Sequence, residues 1–449
     1  MGLSLVWMAS WFCVNFIPAG FQPVRWLVTA FFVTAVLAYA VGYTRGLSEA
    51  EARGSDRHLI LIIAMCGLAL VLADGAPDRR TLDAVLLRLT YFSGIMAAIG
   101  AIQALFRVNP INYIQIPGMR VNATLVGIGE RGDQDLARVA GTASHFIEFG
   151  VVLAVVSPIA VHYALQSVGR AQQIRRWGLT FLIASGVPFS ISRSAVLSLA
   201  VGLGILAVAW TWRTRIFALI IGVVATVTFR VLQPGILGTI FSLFKNAKYD
   251  PSVQHRTDDY PIVEGYFSDR PWFGRGLATF LPRQYILLDN EFLVTLICGG
   301  LVALTAFVML FVGGYFVGRS IRHHGIDNST RHLGQALAAS LVAAFVATGT
   351  FDAMSFPTFV GVLFLLLGAT GALFRLRRTT DVHPTDCDPH SRRVESLAPV
   401  LCTTLGVRWQ RLLKVGIPGV RAGRTTHWRQ YDNGSRRVGE HKRGSTRQH

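Results

Sequence analysis

Eleven runs of mostly apolar residues recur along the chain, near 3–17, 24–43, 58–73, 82–106, 146–166, 177–191, 195–210, 216–232, 290–317, 333–350 and 357–374. A hydrocarbon layer of about 30 Å takes roughly 20 residues at 1.5 Å each, and most of these runs approach that length. Lipid offers no water to backbone N–H and C=O groups, so only helices and closed barrels can cross it. Barrel strands would alternate apolar and polar residues in pieces of roughly 10. These runs are continuous instead, which predicts an all-α polytopic membrane protein with about 11 transmembrane helices. The composition agrees, because 52% hydrophobic against 15% charged residues is too apolar for a soluble chain of 449 residues.

The 34 residues from 177 to 210 form one run that as a single helix would be about 51 Å long and overshoot the membrane. The corner falls at "SISRS" (190–194), just after Pro188. Connection charge then sets the orientation. Loops 74–81, 167–176, 211–215 and 319–332 carry ten Arg in 37 residues, whereas 44–57, 107–145, 192–194, 233–289 and 351–356 carry 14 basic residues in 119. The denser set is expected on the cytoplasmic side, as is the tail after Phe374. The N-terminus then falls outside, so a twelfth span is expected upstream in a full-length form. The start has no basic segment and cleavage site of a signal peptide, and residues 3–17 read as a span.

Three segments stand apart from the transmembrane domain, 1–374. Two long external loops, 107–145 and 233–289, exceed the length usual for connections without a function. The second holds Tyr249, Tyr260, Tyr266, Phe267, Trp272, Phe273 and Phe280 among near-balanced charges, which predicts that it folds. The tail, 375–449, has 16 Lys/Arg and six Asp/Glu and accounts for ten of the formal +18. It reads as a disordered cytoplasmic segment near anionic headgroups, with membrane lipid rather than nucleic acid as its partner. Cys13, Cys66, Cys298, Cys387 and Cys402 show neither a disulfide framework nor zinc-ligand spacing.

Motifs of soluble enzymes are absent: no GxSxG, HExxH or GxxxxGK[ST] occurs. One GxGxxG, "GIGERG" at 127–132, lies in an external loop without a following helix and is read as a turn, not a dinucleotide site. Polar residues gather instead at the external face. Arg193 lies in the "SISRSA" corner. His145 and Glu148 open a span in "GTASHFIEFG", with Ser144 the expected helix cap and Glu148 facing the positive helix end. His255 and Arg256 start "QHRTDDYPIVEG", which leads into "DRPWFGRGLATF". Asp289, Asn290 and Glu291 precede the ninth span, with Asp289 the expected cap. Guanidinium groups suit a diphosphate, and a carboxylate at an apolar boundary suits a general base.

The order of these segments resembles the O-antigen ligase and polymerase family of bacterial membrane glycosyltransferases. The matching pieces are "RVAGTASHFIEFG" (138–150), "SISRSAVLSLAVG" (190–202), "HRTDDYPIVEGYFSDRPWFGRGLATF" (255–280) and "DNEFLVTLICGGLVAL" (289–304). The likeness implies transfer of glycan from a polyprenyl-diphosphate donor to a glycan or glycolipid acceptor, at the external face of the bacterial cytoplasmic membrane. It implies no metal or other cofactor. It also implies that Arg193 and Arg256 hold the donor diphosphate, with Asp289 as base and His255, Asn290 and His145 as further contacts. Ligases of this family carry His followed by Asn where this chain has Asp289 and Asn290. That departure leaves polymerase and ligase both open. A transporter or flippase of lipid-linked glycans is the competing reading, with Arg88 the clearest charge inside a span, and a scaffold of an envelope complex is the third.

Overall fold

The computed structural model describes residues 21–113, 128–131, 136–232, 238 and 251–381. The expected span 3–17 and the tail beyond Asp381 lie outside the described residues. Eleven α-helices are described: α1 (Pro23–Thr44), α2 (Glu49–Gly75), α3 (Arg79–Phe106), α4 (Phe146–Leu165), α5 (Arg170–Phe189), α6 (Arg193–Ala207), α7 (Trp212–Leu232), α8 (Pro251–Asp269), α9 (Glu291–His324), α10 (Asn328–Thr348) and α11 (Pro357–Asp381). Ten of the eleven expected spans coincide with helices, all but α8. Six of the described helices, α1, α2, α3, α4, α9 and α11, are long and apolar enough to cross a membrane. The protein is therefore a multi-pass membrane protein. Of the other five, α6 is a shorter apolar helix, α5, α7 and α10 carry polar or basic first turns, and α8 lies in the 233–289 loop.

Local chemistry explains where several helices begin. Ser48 and Glu51 form a reciprocal capping box that starts α2 at Glu49, inside a polar stretch ahead of the expected span at 58. Asp78 caps α3 and Asp327 caps α10 through bonds to Thr81 and Thr330. Pro357 opens α11, where its missing N–H costs nothing. The last helix continues to Asp381, so the first residues assigned to the tail are helical.

Two additions qualify the all-helical expectation. Loop 107–145 contains an antiparallel hairpin, β1 (Ile128–Arg131) paired with β2 (Leu136–Val139), in register Ile128↔Val139. The "GIGERG" stretch is thus largely a strand. Loop 233–289 contains α8, a folded element as its aromatic content implies.

The core surrounds α4, which is buried from Glu148 to Ala164. It packs against α3, α5, α6 and α10, while α9 lies on α1 and α10, and α11 lies on α2. Phe149 is fully buried in α4. The long apolar run turns where the corner was expected, since α5 ends at Phe189 and α6 begins at Arg193. Ile191 makes that turn with φ +45° while fully buried. A β-branched residue there stores roughly 1–3 kcal/mol of strain, so the surrounding contacts hold the corner in place.

Candidate functional site

The polar end of the bundle is organised by a break in α9. Gly300 is non-helical at φ 66°, ψ −167° and separates Glu291–Gly299 from the rest of the helix. Breaking a helix frees carbonyls above the break and N–H groups below it. The "PWFGRG" segment satisfies both sets. Arg275 N–H donates to Ile297 O at 2.8 Å and Gly276 N–H to Cys298 O at 2.9 Å, while Leu301 and Val302 N–H donate to the carbonyls of Pro271 and Trp272 at 2.9 and 3.2 Å. A Cβ at residue 300 would lie 2.3 Å from Trp272 backbone carbon, so only glycine allows this approach.

Aromatic and ionic contacts tie the same loop to the first two helices. Arg275 lies over the rings of Tyr266 and Tyr285, 4.7 and 5.1 Å from their centroids. Its guanidinium donates to Tyr285 Oη, which donates to Glu51 Oε1 at 3.0 Å. Arg45 bridges the Arg275 carbonyl and Glu51. Loop 270–285 is thereby held against the C-terminus of α1 and the N-terminus of α2.

At the start of α9 the expected roles are redistributed. Asn290, not Asp289, is the cap, accepting from Phe292 N–H at 3.0 Å. Asp289 is half-buried one residue earlier. Glu291 is buried, and accepts from Met354 N–H at 2.8 Å and Thr295 Oγ1 at 3.1 Å. The Asp352 carboxyl lies beside it. Asp352 accepts from Ser355 Oγ. The connection from α10 to α11 is thus fastened to the half-helix.

At the start of α4 the cap is His145 rather than Ser144, its Nδ1 accepting from Ile147 N–H at 3.2 Å. That bond leaves the neutral ring with its proton on Nε2, a donor. Burial, then the charge of Arg138, holds the His145 imidazolium down to about 4. Glu148 is fully buried and bonds in two directions. Oε2 accepts from the N–H and hydroxyl of Ser144 at 2.9 and 2.6 Å, and Oε1 from Thr358 and Phe359 N–H at 2.9 and 3.2 Å. One carboxylate therefore serves the N-termini of α4 and α11. The His145 ring lies 5.7 Å from that of Phe356 in the α10–α11 connection.

Arg193 is the first residue of α6 and half-buried. Its corner is held by Arg138 of β2, whose Nε donates to Ser190 O at 2.9 Å and whose guanidinium covers the Phe146 ring at 3.2 Å. Through Arg138, Phe146, Glu148 and Glu291, the structure links the starts of α4, α6, α9 and α11 at one end of the bundle. Arg193, His145, Asp289 and Asn290 therefore share that end. His255 and Arg256 lie within α8, and their side chains are outside the described residues.

Sequence reading did not foresee the structural weight of Glu148, Glu291, Arg138 and Asp352. An acid in the first turn of each apolar helix was the available signal for the first two, but their partners lie 210 and 63 residues away. Among the described residues no group of three or more His, Cys, Asp or Glu is placed to hold a metal ion.

Comparison with known proteins gives matches of two kinds. A family model described as O-antigen ligase matches residues 178–308, from within α5 to within α9. Among solved structures, a chain from "Structural coordination of polymerization and crosslinking by a peptidoglycan synthase complex" is 13% identical with a TM-score of 0.43, covering 81% of this chain and 99% of that one. No curated protein matches the sequence.

Proposed function

We propose that the chain, whose residues 178–308 match the O-antigen ligase family model, transfers or polymerises glycan from a polyprenyl-diphosphate carrier at the external face of the bacterial cytoplasmic membrane. The observation that carries this reading is the content of the matched stretch. It holds both the strained Arg193 corner and the half-helix that begins with Asp289, Asn290 and Glu291, and contacts through the α10–α11 connection bring them to one end of the bundle.

In this reading an acceptor hydroxyl oxygen attacks the anomeric carbon of the donor glycan. The bond from that carbon to the diphosphate breaks, and polyprenyl diphosphate leaves with the electron pair. Asp289 takes the hydroxyl proton, which requires no metal or nucleotide cofactor. Arg193 and Arg256 stabilise charge that develops on the diphosphate. His145, presenting Nε2–H while neutral, donates to a donor or acceptor oxygen without adding charge. Asn290 and His255 are further contacts. The bundle holds eleven spans with a cytoplasmic C-terminus. Arg25, Arg79, Arg322, Arg375 and Arg377 support that orientation, since they bind acids, a hydroxyl or helix-end carbonyls at the opposite end.

The test is glycan assembly in cells carrying Arg193→Ala, Arg256→Ala, Asp289→Asn or Asp289→His. Loss of product at normal protein abundance is expected for both arginine variants and for Asp289→Asn, and full assembly in all three would refute the site. Deleting the gene separates the two reactions. Single repeat units in place of long chains mark a polymerase, and long chains stranded on the polyprenyl carrier mark a ligase.

A further inference from the structure

Tyr39 and Tyr43 stand one turn apart on one face of the last two turns of α1, just before loop 44–57. Both hydroxyls donate to the same atom, Oδ1 of Asp56 in the third turn of α2, at 2.8 Å each. The two rings lie 4.9 Å apart between centroids and are tilted by 52°, so they form an open wedge rather than a stack. Tyr43 is 44% exposed, Asp56 is exposed and Tyr39 is half-buried. A tyrosine at a membrane boundary ordinarily turns its hydroxyl to headgroups and water. Here both hydroxyl protons are committed to one carboxylate oxygen, and Asp56 Oδ2 accepts no hydrogen bond among the described residues.

We propose that this wedge binds the acceptor glycan some distance from its reacting end. The inference rests on the proposed function and adds a subsite outside the residues assigned to the reaction. The wedge offers hydrogen-bond acceptors, Asp56 Oδ2 and the two phenol oxygens, beside two ring faces. A sugar ring is the complement, with neighbouring hydroxyl donors on its rim and apolar C–H groups on its face. An ammonium headgroup is the other chemistry that suits a carboxylate between rings, and it needs net negative charge. Arg45 and Arg53 are paired with Glu51 and Glu49, and the exposed Arg57 follows Asp56, so the wedge presents no such charge. The wedge also adjoins the candidate site. Gly42, beside Tyr43, packs on Gly276 so closely that an added Cβ would lie 3.0 Å from its Cα, and Leu277 N–H donates to Ala38 O. Gly276 is bonded in turn to Cys298 O, and the half-helix from Cys298 back to Glu291 is about 10 Å long. A glycan of a few sugar units is long enough to cover that separation.

The full chain, purified into nanodiscs of phosphatidylglycerol, would be titrated with oligosaccharides cut from the surface polysaccharide of its own cells and sized as single repeat units or longer chains. The longer chains are expected to bind the wild type at least about fivefold more tightly, the effect of one or two added hydrogen bonds. Tyr43→Ala and Asp56→Asn are each expected to erase most of that gain. Asp56→Asn keeps the oxygen that holds both tyrosines and turns the free one into a donor, so the fold is retained while the sugar contact is lost. Longer chains that bind the wild type no better than single units overturn the inference, as does a gain that both variants preserve. Oligosaccharide binding that falls when phosphatidylethanolamine is added to the nanodiscs, and not when phosphatidylglycerol is, assigns the wedge to an ammonium headgroup and also overturns it. Normal glycan assembly in cells lacking the gene overturns the proposed function instead, and loss of the length-dependent gain in the two variants then still keeps the glycan site.

Discussion

Removing the Glu148 carboxylate tests whether one buried acid holds two helix ends together. Glu148→Ala deletes bonds to Ser144 N–H, Ser144 Oγ, Thr358 N–H and Phe359 N–H. Phe359 is buried, so its N–H loses its partner without gaining water, at about 1–3 kcal/mol. Thr358 is exposed and Ser144 half-buried, so water replaces part of what those groups lose, roughly 0.5–1 kcal/mol each. The negative charge at two positive helix ends adds a smaller amount. The total comes to about 3 kcal/mol, or roughly a hundredfold in the unfolding equilibrium. Glu148→Gln keeps one acceptor for α11 and turns an amide N–H towards Ser144, so about half that loss is expected. Ser144→Ala removes one hydroxyl donor only and should cost less than about 1 kcal/mol. The assay is SDS-titrated unfolding of purified protein in micelles, followed by far-ultraviolet circular dichroism. A Glu148→Ala loss below about 0.5 kcal/mol would refute the bridging role.

Three further outcomes follow from the same contacts. Gly300→Ala is expected to dislodge loop 270–276, because the new Cβ would collide with Trp272 backbone and adopt φ 66°. Limited proteolysis should show faster cleavage in that loop, and wild-type resistance would count against the interlock. Tyr285→Phe removes the bonds to Glu51 and Arg275, and should weaken the same loop by about 1–2 kcal/mol on the proteolytic readout. His145 sets a pH window: its folded value of about 4 lies below the usual 6.5, so on acidification the unfolded state binds the proton first. Its contribution is intact above 6.5 and is lost as pH falls towards 4. His145→Asn keeps a capping side chain without the imidazole, so the wild type should lose stability relative to it across that window, and parallel curves would refute the assignment.

Much of the candidate site was legible because its residues mark helix starts, and helix starts are local. Arg193 follows a corner demanded by a run too long for one span. Asp289 to Glu291 and His145 to Glu148 stand where charge gives way to apolar sequence. Which residue caps was not legible, since Ser144 or His145 and Asp289 or Asn290 are equally able acceptors. His145 and Asn290 took the caps, and the buried acids one residue or one turn later went to partners far away in sequence.

The sequence by itself determined that the chain crosses a membrane as helices, where it turns, and which end gathers polar residues. Those properties follow from the length and continuity of apolar runs, and each run carries its own evidence. Only the tertiary structure decided that α9 breaks at Gly300 to receive the "PWFGRG" backbone, and that Glu148 and Glu291 hold the entry to α11. A broken helix and a buried carboxylate are tolerated only when their orphaned groups find partners. Those partners are brought close by packing across 63 to 210 residues of chain, a separation that no local pattern of residues encodes.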